Sequence, residues 1–173
     1  MLVWDVFVRV THWAVAILVV IELTNEAGAN PWHRYLGYAA AGLVLARLVW
    51  GLLTHGEARI ARMAAAAAEA PAYLRAPRVY LGHNPLGALM AFLLWMLILA
   101  VGITGWMTQL DAYWGEDWLQ QLHQVLAYVL GGCALLHVGG VLVTSRRYRT
   151  NLVAAMFSGK KRLPGSRERR APG

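Results

Sequence analysis

Four long apolar runs divide this chain, roughly Val6–Leu23, Tyr35–Leu53, Leu86–Met107 and Leu122–Thr144. Each has about the length that an α-helix needs to cross a hydrocarbon core of roughly 30 Å. In lipid every backbone amide must find its partner inside the segment, so runs of this kind fold as helices and gather into a bundle. Composition points the same way. With 58% apolar residues, 14% charged residues and eight Trp, a soluble domain of 173 residues has too little interior to hide its apolar surface. The expected fold is an all-α membrane protein, a bundle of four transmembrane helices over about 6–23, 31–53, 85–107 and 118–144. One domain, 1–158, carries them; 159–173 reads as a basic, disordered tail, rich in Gly, Pro and Arg and without apolar period.

The first run imitates a secretory signal, with Ala27-Gly28-Ala29 resembling a cleavage site. Asp5 beside Arg9, His12 within the run and Glu22 at its end argue for a retained helix. Punctuation elsewhere is clear. Asn30-Pro31 and Asn84-Pro85 each offer a cap followed by a proline that needs no amide partner, and Asp117 can open the fourth helix. Between the second and third runs, Ala64–Ala70 reads as a short surface helix ended by Pro71.

The net charge is +7, and its placement matters more than its sum. Arg59, Arg62, Arg75 and Arg78 lie in the middle connection; Arg146, Arg147, Arg149, Lys160, Lys161, Arg162, Arg167, Arg169 and Arg170 follow the last run. The other two connections hold Arg34 against Glu26, Asp111, Glu116 and Asp117. The positive-inside rule then puts the middle connection and both termini in the cytoplasm. A basic segment beside a bilayer reads membrane lipid, not nucleic acid. Cys133 is alone, so it forms no internal disulfide and holds no iron–sulfur cluster by itself. The absence of C-x-x-C-H excludes covalent c-type haem.

Six histidines remain to be explained. His55 and His83 fall in the middle connection, whereas His12, His33, His123 and His137 fall within helices. Ionisable groups inside membrane helices are costly and face a protein interior or a cofactor. His123 and His137 are 14 residues apart. That is nearly four turns, so they share a face about 21 Å apart along the axis. Helix direction alternates along the chain, so His33 lies at the depth of His123 and His12 at that of His137. Two antiparallel helices flanking a porphyrin provide two axial imidazoles, and four such residues at two depths fit two b-type haems held without covalent attachment. Bis-histidine ligation leaves no open site for oxygen and points to electron transfer. Zinc wants three or four clustered ligands, which separated pairs do not provide. Gly37, Gly42, Gly131, Gly132, Gly139 and Gly140 leave room for a flat ring or for tight helix packing. Arg47 either snorkels to the interface or meets a propionate of the inner haem, with Arg9 a second candidate there and Arg34 a candidate for the outer haem. Trp32, Trp106, Trp114 and Trp118 suit an aromatic belt.

Several of these stretches together resemble the bacterial cytochrome b561 family, which includes the b-type subunits of membrane-bound nickel–iron hydrogenases. They are Thr11-His12-Trp13, Trp32-His33-Arg34-Tyr35-Leu36-Gly37-Tyr38, Arg47-Leu48-Val49-Trp50-Gly51, Leu81-Gly82-His83-Asn84-Pro85-Leu86-Gly87 and the His123/His137 pair. The likeness runs from about Trp4 to Arg149. It implies a di-haem cytochrome passing electrons between a periplasmic partner and the quinone pool, with axial ligands that map onto His12, His33, His123 and His137. Hydrogenase-type members are longer; compact ones include enzymes that oxidise superoxide and reduce quinone without a partner. Acidic outer connections favour a basic partner such as a c-type cytochrome. Superoxide, an anion, would be steered by a basic surface, so superoxide:quinone oxidoreductase stands as the alternative expectation.

Overall fold

The structure is a computed structural model of the protein and describes residues 4–25, 31–76 and 84–160. The Ala27-Gly28-Ala29 stretch, the Asn30 cap, Arg78, His83 and the tail from 161 lie outside the described residues. Within them run α1 (Val6–Thr24), α2 (Pro31–Leu53), α3 (Ile60–Ala68), α4 (Ala70–Arg75), α5 (Pro85–Met107), α6 (Asp117–Arg147) and α7 (Leu152–Ser158). Of these, α1, α2, α5 and α6 are long and apolar enough to cross a membrane. The protein is an all-α membrane bundle.

Helix starts follow from local chemistry. Asp5 Oδ1 accepts from the Val8 amide (2.8 Å), and Asn84 Oδ1 from the Gly87 amide (2.6 Å) with Pro85 in the first turn. Each such cap contributes about 1 kcal/mol. Asp117 acts differently from expectation. It is the first helical residue of α6, behind Glu116, and its carboxylate complements the helix dipole instead of capping an amide. At the other end, Arg146 and Arg147 fill the last turn of α6, where cations are favoured. The short surface helix also needs correction. It starts earlier, at Ile60, and stops at Ala68; Pro71 sits in the first turn of α4, where its missing amide costs nothing.

Side-chain contacts fix the helix directions. Trp50 Nε1 donates to Asp5 Oδ2 (3.2 Å) at one end of α1 and α2, while Glu22 meets His33 at the other. Arg47 lies over Trp95 and Gly102 approaches Ala41, so α2 and α5 are antiparallel. Thr104 bonds His123, which makes α5 and α6 antiparallel as well. One end of the bundle, the hairpin end, therefore carries the α1–α2 and α5–α6 connections. The opposite, terminal end carries α3, α4, α7 and the start of α1.

The buried core is Ala40, Val44, Leu97, Ile98 and Leu130. Many large apolar residues point outward instead, including Met96, 71% exposed, and Leu135, 76% exposed. In water each would cost about 1.5–3 kcal/mol relative to burial; a bilayer removes that penalty.

The terminal end is tied by polar contacts. Arg47 is buried, so it does not snorkel; its Nη2 donates to the Ala58 carbonyl (2.9 Å) and reaches Met63 Sδ (3.6 Å), pinning α3 beneath α2. α7, which hydropathy gave no reason to expect, folds back on α1. Phe157 stacks on Trp13 at 4.2 Å, Arg9 Nη1 donates to the Phe157 carbonyl (2.5 Å), and the Trp4 amide donates to the Gly159 carbonyl (3.3 Å). Gly159 holds the left-handed cap of α7 with φ 73°. Tyr73 on α4 meets the Tyr148 hydroxyl at 3.5 Å, and burial together with that contact pushes its phenol up to about 12.

Candidate functional site

The four intramembrane histidines meet as two pairs. His33 of α2 faces His123 of α6 toward the hairpin end, with ring centroids 6.1 Å apart and planes at 86°. His12 of α1 faces His137 of α6 toward the terminal end, at 6.4 Å and 54°. Metal–imidazole bonds of about 2 Å place two ring centroids about 6 Å apart when both rings bind one ion. Both pairs have that spacing. Leu130 lies seven residues after His123 and seven before His137. Seven residues are almost two full turns, so Leu130 occupies the same stripe midway between the pairs. The core cluster it joins is thus an apolar layer separating the two sites.

At the hairpin end Thr104 Oγ1 lies within hydrogen-bond distance of the Ala100 and Val101 carbonyls (2.9 and 3.1 Å) and of His123 Nδ1 (3.0 Å). With its single hydrogen given to its own helix the hydroxyl is an acceptor for the ring N–H at Nδ1, the tautomer that leaves Nε2 with the lone pair. Gly105 makes this approach possible, because an added Cβ there would lie 3.0 Å from His123 Cε1. On the facing ring, Glu22 Oε2 lies 2.5 Å from His33 Nδ1, out of line with the ring N–H, so that among the described residues neither His33 Nδ1 nor the buried Glu22 Oε1 has a hydrogen-bond partner. At the terminal end His12 Nδ1 is likewise buried with no hydrogen-bond partner among the described residues.

The residues present fit a flat macrocycle between each pair. The α1–α6 and α2–α6 helix pairs that bear the histidines are not the closely packed ones, which are α5–α6, α1–α2 and α2–α5. Gly37, one turn from His33, and Gly140, three residues after His137, face space in which an added Cβ would meet nothing within 4 Å. The other glycines separate by position. Gly131 packs against Leu23 (3.5 Å), while Gly42 and Gly132 fall nine residues from His33 and His123, on the opposite faces of their helices. Among the described residues, no three or more His, Cys, Asp or Glu side chains cluster in a metal-binding arrangement.

The three arginines are partly engaged. Arg34 is exposed, donating to Gln109 Oε1 (3.3 Å) and Tyr35 Oη (3.2 Å) and lying over the Tyr35 ring. Arg9 holds α7. Arg47 keeps one buried nitrogen, Nη1, without a hydrogen-bond partner among the described residues, at the end of the bundle where His12 lies. Thr104 and Glu22 were missed by sequence reasoning. Glu22 had a signal, a carboxylate within an apolar run at the depth of His33; Thr104 had none, since a lone Thr in an apolar helix is ordinary.

An all-α membrane bundle with paired imidazoles at two depths has the make-up of a b-type cytochrome. The chain belongs to the prokaryotic cytochrome b561 family, whose model matches residues 3–159. It is therefore a multi-pass membrane cytochrome of electron transfer that binds b-type haem. No curated protein and no solved structure matches the chain.

Proposed function

We propose that the chain binds two b-type haems, one between His33 and His123 and one between His12 and His137, and carries electrons across the bacterial inner membrane. The two matched histidine pairs, 6.1 and 6.4 Å between rings, are the observation that carries this reading. Haem bound between each pair supplies a one-electron carrier at each depth. Thr104 would hold the His123 ring through Nδ1 and leave Nε2 to bind iron, and Glu22 would place its charge against the His33 ring. Gly37 and Gly140 give the macrocycles access to the backbone, and the Leu130 layer keeps water from the space between. Arg47 Nη1 and Arg9 are the candidate propionate partners at the terminal end, and Arg34 at the hairpin end.

The terminal end, with its basic residues, faces the cytoplasm, and the hairpin end faces the periplasm. Asp111, Glu116 and Asp117 are exposed on the hairpin end. They suit a basic redox protein such as a c-type cytochrome, with the quinone pool as the second partner. Reconstitution in quinone-containing vesicles tests this. Electron exchange between an added basic c-type cytochrome and the haem bands, weakening as salt rises, is the expected result. Quinone reduction driven by superoxide in the absence of a partner protein would assign the chain as a superoxide:quinone oxidoreductase instead.

A further inference from the structure

We infer that Glu22 is a positioning residue that sets the potential of the hairpin-end haem, making it harder to reduce; this rests on the two-haem reading above. Glu22 is a carboxylate in a membrane helix, with a side chain 15% exposed and one oxygen buried without a hydrogen-bond partner among the described residues. Such a group persists in a bilayer where it has an opposite charge or a donor to face. Its contact among the described residues is the His33 ring, reached across the α1–α2 interface.

Ferric haem between two neutral imidazoles has one more positive charge than ferrous haem, and no bond is made or broken when the electron arrives. A carboxylate against the axial ring stabilises the ferric form by charge. That charge lowers the potential. Arg34 opposes it only from an exposed position, where water screens it.

The terminal-end pair has the opposite setting. His12 Nδ1 faces no hydrogen-bond partner among the described residues, and the charged groups of that end include Arg9 and Arg47. α1 thus serves both sites, giving an axial ligand to one and a charged neighbour to the other. Lowering the hairpin-end potential favours passage of electrons from that haem toward the terminal end.

The test is a spectroscopic redox titration of the full chain as purified holoprotein, in the wild type, E22Q and E22D, with H33A assigning the bands. In E22Q one midpoint should rise by at least about 59 mV, a tenfold change in a one-electron reduction equilibrium. That midpoint should belong to the haem lost in H33A, and the other should stay. E22D should lie nearer the wild type. Selective loss of the hairpin-end haem in E22Q with retention in E22D also supports the assignment. Two bound haems with neither midpoint moved, or both moved equally, would overturn it. A wild type holding fewer than two haems per chain by pyridine haemochrome would overturn the underlying reading as well, and is scored before any titration.

Discussion

The two histidine pairs share a spacing and differ in everything around it. At the hairpin end, each ring has a polar neighbour on its far nitrogen: Thr104 for His123 and Glu22 for His33. At the terminal end, His12 Nδ1 has none among the described residues, and the surroundings are mechanical instead: the Phe157–Trp13 stack beside His12 and the pinned Arg47. One pair has polar side chains against both of its rings. The other is covered by packing, with α7 folded against the helix that bears His12. A shared spacing does not require shared surroundings.

The largest effects are expected at the histidines. His137→Ala should remove the terminal-end haem and leave the other, read as loss of about half the pyridine haemochrome signal per chain. His123→Ala should do the reverse. Equal loss of both haems in either variant would mean that the pairs are not independent sites. A smaller effect is expected from Thr104→Val, which keeps the shape and removes the acceptor for His123 Nδ1–H. Haem at the hairpin end should bind about 10- to 100-fold more weakly, as for other outer partners of metal ligands. Retention of haem during dilution or apo-protein competition measures this, with the terminal-end haem as internal control. Phe157→Ala should have the smallest effect. Removing the stack on Trp13 should cost about 1 kcal/mol, seen as a lower melting temperature of the terminal-end haem band with the hairpin-end band unmoved.

Much of the fold was legible because lipid leaves few choices. A run of apolar residues long enough to span must be helical, and the Asn84-Pro85 cap marks where one of the helices begins. The meeting of the histidines was legible from the 14-residue spacing on α6 and the alternation of helix direction, which depend only on helix geometry. Arg47 shows the limit of that logic. Its depth was readable, but whether it reached the interface or turned inward depended on α3 and on the Ala58 carbonyl, a contact across eleven residues. α7 was hidden for a similar reason. Seven residues are too few to form a stable helix alone, and it is held by Trp4, Arg9 and Trp13 from the far end of the chain. Thr104 could not be recognised from its type, because its role rests on a rotamer that sets its hydroxyl between the carbonyls of α5 and the His123 ring of α6.

The central claim is that two imidazole pairs at two depths each hold one haem. Its most direct test is the haem content of the purified wild-type chain, by reduced-minus-oxidised spectrum and pyridine haemochrome against protein concentration. The account predicts b-type bands and about two haems per chain. A colourless protein, or one haem per chain under conditions that retain haem, would contradict it.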